Sequence, residues 1–149
     1  MRSLGLDVGD RRIGVAISDA LGLLASPLSV LEGQDEASAI AAILRIAQEN
    51  RVERIIVGLP RSMDGTIGPQ AEKVQAFTRK LEQQSPVPVE YRDERLTTVT
   101  AKRMLQEAGS KKSHKYKKTS YDAAAAAVIL QSYLNESKPL EWPPEDDGG

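Results

Sequence analysis

The stretch GLDVGDRRIGVAISD, residues 5–19, decides how the rest of the chain is read. Leu4, Leu6 and Val8 alternate in one arm and Ile13, Val15 and Ile17 in the other, the period-two pattern of two strands joined by a turn. Asp7 interrupts the first arm, between Gly5 and Gly9. Small neighbours let a ligand or another backbone approach closely. Asp7 is therefore either an exposed edge residue or a functional carboxylate, and the apolar strand around it favours the second. Arg11 and Arg12 stand beside it at the turn.

Working outward, residues 3–8 and 12–18 pair as strands and residues 26–32, SPLSVLE, form a third. Asp35 is placed to cap a helix over 36–50, in which Ile40, Ile43, Leu44 and Ala47 recur at helical spacing. VERIIVGLP reads as a buried strand, residues 61–69 as a loop of turn formers, and Ala71, Val74, Phe77 and Leu81 as one face of a helix over 70–84. VPVEYR, residues 87–92, is a strand that Pro88 sends to an edge or opens. Thr97 or Thr98 can cap a helix ending at Ala108, before Gly109, and Ser120 can cap the last helix, YDAAAAAVILQSYL. Three successive strands imply an antiparallel meander, and strands alternating with helices join it in parallel through right-handed crossovers. The expected fold class is α/β: a mixed five-stranded sheet with helices on both faces.

The chain has 149 residues, enough for one domain with a proper core. We expect that domain to occupy residues 1–135 and an acidic, disordered tail to occupy 136–149. With no cysteine, disulfides and thiolate chemistry are excluded, which fits a reducing cytoplasm. No leader pattern and no apolar run of transmembrane length is present, so no membrane partner is expected. The net charge of −1 hides an uneven distribution. Lys102, Arg103, Lys111, Lys112, Lys115, Lys117 and Lys118 face only Glu107 between residues 102 and 118.

Three carboxylates from separate elements carry the candidate chemistry: Asp7 in the first strand, Glu94 just after the strand 87–92, and Asp122 in the first turn of the last helix. If the sheet brings them together they cannot all stay ionised without cations. Mg²⁺ or Mn²⁺, hard ions that take oxygen ligands, would resolve the repulsion and activate water toward a phosphodiester. On spacing alone Glu94 could be a solvated loop residue and Asp122 a helix-dipole partner, while Asp10, Asp19, Asp64 and Asp93 are further candidates.

The segment GSKKSHKYKK, residues 109–118, suits a strip that tracks phosphates, or else a solvated loop. Its candidate nucleic-acid contacts are Lys111, Lys112, His114, Lys115, Tyr116, Lys117 and Lys118, with Tyr116 able to stack on a base. Arg11, Arg12 and Arg95 lie near the proposed ligands and could clamp a phosphate. One histidine and no cysteine leave zinc or cysteine–histidine chemistry without support. GLPRSMDGTIG lacks the Gly-Lys-Ser/Thr ending of a phosphate-binding P-loop.

GLDVGDRRIGVAISD, IIVGLPRSMDGTIGP, DERLTT and DAAAAAVILQSYL, in this order, resemble the YqgF (RuvX-like) family. Its members are assigned either to Holliday junction resolution or to pre-16S rRNA processing. The resemblance covers residues 3–134 and implies an RNase H-like fold, with an acidic metal site at Asp7, Glu94 and Asp122. A histidine and a tyrosine in the basic cluster, and TSYDAAAAAV in place of the usual aspartate-polar-small pattern, are small departures. The expected activity is a metal-dependent nuclease acting on structured nucleic acid, preferably the 5′ end of pre-16S rRNA during ribosome biogenesis, with a four-way DNA junction as the rival substrate. A resolvase making two symmetric cuts should be a stable dimer, and the absence of an obvious apolar dimer surface in the sequence favours RNA and a monomer or weak homodimer. LDVGDRRIGVA also resembles the phosphate-binding hairpin of actin-like and sugar-kinase ATPases, which would need a second domain to close the cleft. A third possibility is a non-catalytic RNA-binding or transcription-associated factor that uses the lysine strip alone.

Overall fold

Alternation along the first strand sorts its side chains onto two faces, and the two faces meet different partners. The computed structural model describes residues 1–61, 67–93 and 118–137. In chain order the elements are β1 (Ser3–Val8), β2 (Arg12–Ser18), β3 (Ala25–Glu32), α1 (Glu36–Glu49), β4 (Arg54–Leu59), α2 (Pro69–Gln84), β5 (Val89–Asp93) and α3 (Lys118–Ser137). The five strands form one sheet in the order β3-β2-β1-β4-β5. β1 and β2, and β2 and β3, are antiparallel, whereas β4 runs parallel to β1 and β5 parallel to β4. Asp7 therefore lies in the central strand, and its reading as an edge residue is set aside. The expected helix over 97–108 and residues 62–66 of the loop lie outside the described residues.

Leu4, Leu6, Ile13, Val15, Ile55 and Val57 point to one face and pack against Ile40 and Ile43 of α1 and Val74, Phe77 and Leu81 of α2. The periodicity of both helices is thus explained by one buried stripe each. α1 is capped by Asp35, whose carboxylate accepts from Ser38 N at 2.8 Å, and Pro69 opens α2, where its missing N–H is not needed. Pro88 sits just before β5 at a sheet edge, and its carbonyl accepts from Ile55 N at 2.9 Å. That is the edge placement its sequence implied. At the other edge, the register of β3 slips between Val15 and Ala16 beside Pro27, a bulge that blunts the strand against further pairing.

The second face carries small residues, and α3 lies on it, crossing β2, β3 and β1. Ala126, Ile129, Leu130 and Leu134 pack there on Ala16 and Ile56. A Cβ on Gly5 would stand 2.8 Å from Leu130 Cβ, and one on Gly14 would stand 2.0 Å from the carbonyl oxygen of Asp122. The helix backbone thus rests almost directly on the strands, which explains the run Ala123–Ala127. Arg92 of β5 anchors the far end of α3 through hydrogen bonds to Ser132 Oγ (2.7 Å) and Glu136 Oε2 (2.6 Å).

Three expectations for this helix are corrected. It begins at Lys118, so Ser120 is inside it rather than its cap, and Asp122 falls beyond the first turn. Nothing in residues 118–120 breaks a helix, and lysine favours one more than serine does. It also runs to Ser137, past the expected last helical residue Leu134, where the Arg92–Glu136 pair holds its last turn.

Gly14→Ala should destabilise the protein by about 1–3 kcal/mol, as overpacking does, and toward the upper end because the obstacle is backbone. Thermal unfolding should show a fall of roughly 2–4 °C per kcal/mol, against a much smaller effect for Gly68→Ala, where a Cβ meets nothing within 4 Å. The Arg92 hydrogen bond, then its charge, holds the Glu136 carboxyl below its ordinary value near 4.5. The stability this pair contributes is present above that value and is lost as pH falls below it. Acid titrations followed by circular dichroism should therefore show a flatter acid limb for Glu136→Gln than for the native chain.

Candidate functional site at the end of β1

Asp7 is the penultimate residue of β1, and alternation places it on the α3 face with Ser3 and Gly5. Directly across the antiparallel pair stands Gly14 of β2. On the other side Leu6 pairs with Val57, so the next residue, Gly58, lies beside Asp7, and Gly58 in turn pairs with Arg92. Asp7 is flanked by a glycine on each neighbouring strand. The backbone of Asp122 fills the space over Gly14. The backbones of two acidic residues 115 positions apart in the chain are thereby brought to one end of one sheet face.

The half-buried Arg12 is the cation of this cluster. Its Nε donates to Asp122 Oδ2 at 2.6 Å, and its Nη1 lies 3.7 Å from Glu32 Oε2. One guanidinium thus ties the start of β2, the end of β3 and the second turn of α3 together, and it offsets negative charge next to Asp7. Sequence alone placed Arg12 as a phosphate clamp; in the structure its Nε is engaged by Asp122. Arg11, by contrast, is exposed at the turn and makes no ion pair among the described residues.

The other acidic candidates separate cleanly. Asp19 lies at the opposite end of the strands, just after β2, and accepts from Leu23 N (2.7 Å) and Leu24 N (3.3 Å). Those bonds, Leu23's first, hold its carboxyl below the usual range. It is a hairpin residue. Asp10 pairs with Lys73 at 3.5 Å, and Asp93 with Arg61 at 3.7 Å. Asp64, Glu94, Arg95, Lys111, Lys112, His114, Lys115, Tyr116 and Lys117 lie outside the described residues, while Lys118 opens α3. Among the described residues no three histidine, cysteine or acidic side chains gather as a metal site. Two carboxylates suit Mg²⁺ nonetheless, since that ion keeps several waters and binds through one or two acidic groups. The residues sequence reasoning missed are Gly14 and Gly58. Their signal was available: glycines inside strands, each alternating onto the face opposite the large aliphatic residues.

Known proteins match both the sequence and the fold. A family model described as "RuvX: Holliday junction resolvase" matches residues 1–136. A protein of Moorella thermoacetica named "Putative pre-16S rRNA nuclease" is 46% identical over 135 residues, covering 91% of this chain and 95% of its own. A Chloroflexus aurantiacus protein of the same name is 49% identical over 132 residues, covering 89% and 85%. Among solved structures, T. thermophilus RuvC in complex with Holliday junction substrate superposes with a TM-score of 0.59 at 16% identity, over 93% of this chain and 97% of that one. The fowlpox virus Holliday junction resolvase gives 0.55 at 15% identity, over 91% and 99%. These structural likenesses establish the RNase H-like fold. The order of motifs, the five-stranded sheet and the family match over residues 1–136 together show that this chain belongs to the RuvX family.

Proposed function

We propose that this chain is a nuclease that hydrolyses phosphodiester bonds in structured nucleic acid with the help of a divalent ion, processing the 5′ end of pre-16S rRNA in the cytoplasm. The observation that carries this is the placement of the Asp122 backbone over Gly14, the strand partner of Asp7, with the Asp122 carboxylate held by Arg12. Asp7 and Asp122 would hold Mg²⁺ or Mn²⁺, with Glu94 as the third ligand. When bound, the ion lowers the pKa of a coordinated water and balances charge on the leaving oxygen. Arg12 holds the Asp122 carboxylate, and Arg11 offers an exposed guanidinium to an adjacent phosphate. Arg95 and the lysines of residues 111–118 would extend the contact along the backbone, with Tyr116 stacking on a base and His114 as a further polar contact. Binding of this kind weakens steeply with salt.

The names of relatives at 46% and 49% identity favour RNA. A second substrate, the four-way DNA junction, is favoured by one feature of the fold. Leu21 and Leu24 of the β2–β3 hairpin are 77% and 66% exposed, an apolar surface that the sequence did not announce and that could pair two copies. These leucines are an apolar surface of the kind the sequence reading did not find.

The protein should be incubated with a labelled 16S rRNA precursor fragment and, separately, with a labelled four-way junction, in Mg²⁺ or Mn²⁺ and in EDTA. RNA cleavage should require the metal and fall at least about a hundredfold in Asp7→Asn and Asp122→Asn, with binding retained. Cleavage undiminished in Asp7→Asn would sink the site. Symmetric cutting of the junction alone would replace the RNA assignment. Salt-sensitive binding without cutting would leave a binding factor.

A further inference from the structure

The turn that follows Asp7 serves both faces of the sheet. On the face opposite α3, Val8–Arg11 form one wall of a cavity of about 360 Å³, between the N-terminal halves of α1 and α2. Its floor is apolar: Val8, Ile13, Leu31, Val74 and Phe77. Its rim carries two amides, Gln34 and Gln70. The charges at the rim are largely matched, since Lys73 lies 3.5 Å from Asp10 and Lys80 lies 2.6 Å from Glu36. Arg11 is left over, exposed at the mouth.

This composition selects a ligand. A flat apolar group with hydrogen-bonding edges and an attached anion fits it; a highly charged group does not. The volume lies in the range of small-molecule pockets, mostly apolar with a few placed polar groups. An amide offers both a donor and an acceptor, as reading the edge of a base requires. We infer that this cavity takes one unpaired nucleobase of the substrate strand, with Arg11 on a neighbouring phosphate. The inference rests on the nuclease reading of Asp7 and deepens it. A strand crossing the β1–β2 turn passes from the carboxylates on one face to the cavity on the other within a few residues of Asp7. Recognition of an unstacked base is the usual route to sequence preference in RNA. The second large cavity, about 510 Å³, is lined by Ala41, Arg45, Val52 and Val87, away from Asp7 and the β1–β2 turn, and serves as the control.

Ala76 lines the first cavity at a half-buried position, so Ala76→Trp can plug it without entering the core. Ala41→Trp adds the same bulk at the control cavity. Both are made in the Asp7→Asn protein, so that binding is read without cleavage, and circular dichroism checks that each folds. The probe is a short single-stranded RNA from the precursor 5′ region, with 2-aminopurine, and then an abasic site, placed at each position in turn. One position should change its fluorescence on binding, and loss of the base there should weaken binding about tenfold. Ala76→Trp should lose a similar factor and become indifferent to the abasic site, Gln70→Ala should lose base preference, and Ala41→Trp should behave like its parent. Equal response at every position, or undiminished binding by a folded Ala76→Trp protein, overturns the cavity and leaves the nuclease intact. No RNA binding by any of the proteins overturns both.

Discussion

The contact between the backbone of α3 and the sheet at Gly14 is the constraint on which the site depends. A helix normally rides on a sheet at a distance set by intervening side chains. Here Gly5 and Gly14 below, and Ala123 and Ala126 above, remove that spacer, and the carbonyl of Asp122 comes down where a Cβ would be. Glycine inside a strand is destabilising by roughly 0.5–1 kcal/mol relative to alanine. Its presence at this position is accounted for by geometry: only a bare Cα lets residue 122 reach the level of residue 7.

The two faces of the sheet divide the work. The α1–α2 face buries large aliphatic side chains and supplies most of the hydrophobic stabilisation. The α3 face has a thinner core of small residues, and its hold on the helix is reinforced by polar ties. Arg12 fixes the second turn through Asp122, Gln131 bonds the β2–β3 hairpin at Leu23 O and Ala25 N, and Arg92 fixes the last turns. The helix that carries Asp122 is therefore located by directional contacts along its length. The same Arg12 places a positive charge between Asp122 and Glu32.

Membership of the RuvX family and the RuvC-like fold agree on the architecture, and the difference between RNA and DNA lies elsewhere. The carboxylate geometry is common to hydrolysis of either backbone. What distinguishes substrates must be sought on surfaces that meet bases or a second copy, and the proposed candidates are the cavity and the exposed hairpin leucines. The cavity beside the β1–β2 turn is chemically suited to a base. The leucine-bearing hairpin is held rigid by Asp19, Gln131 and the N-terminal amine on Ala20 O, which presents its side chains in a fixed arrangement.

Much of this was legible in the sequence because it is local. Period-two alternation identified β1 and β2, a short apolar run identified β4, period-3.6 spacing identified α1 and α2, and Asp35 and Pro88 did the capping and edge duties their chemistry implies. Asp7 was legible as a carboxylate in an otherwise apolar strand. The start of α3 was misplaced because a plausible cap at Ser120 competes with a helix-tolerant run before it. Other facts were beyond any local pattern. That Asp122 stands over the partner of Asp7, that Arg12 bonds Asp122, and that Asp19 serves the opposite end of the strands are consequences of strand pairing and of a helix-to-sheet distance. Sequence by itself determined which residues prefer strand, helix and turn, since those preferences act over a few neighbouring positions. Which carboxylates meet was decided only by the tertiary structure, because it depends on contacts between residues more than a hundred positions apart.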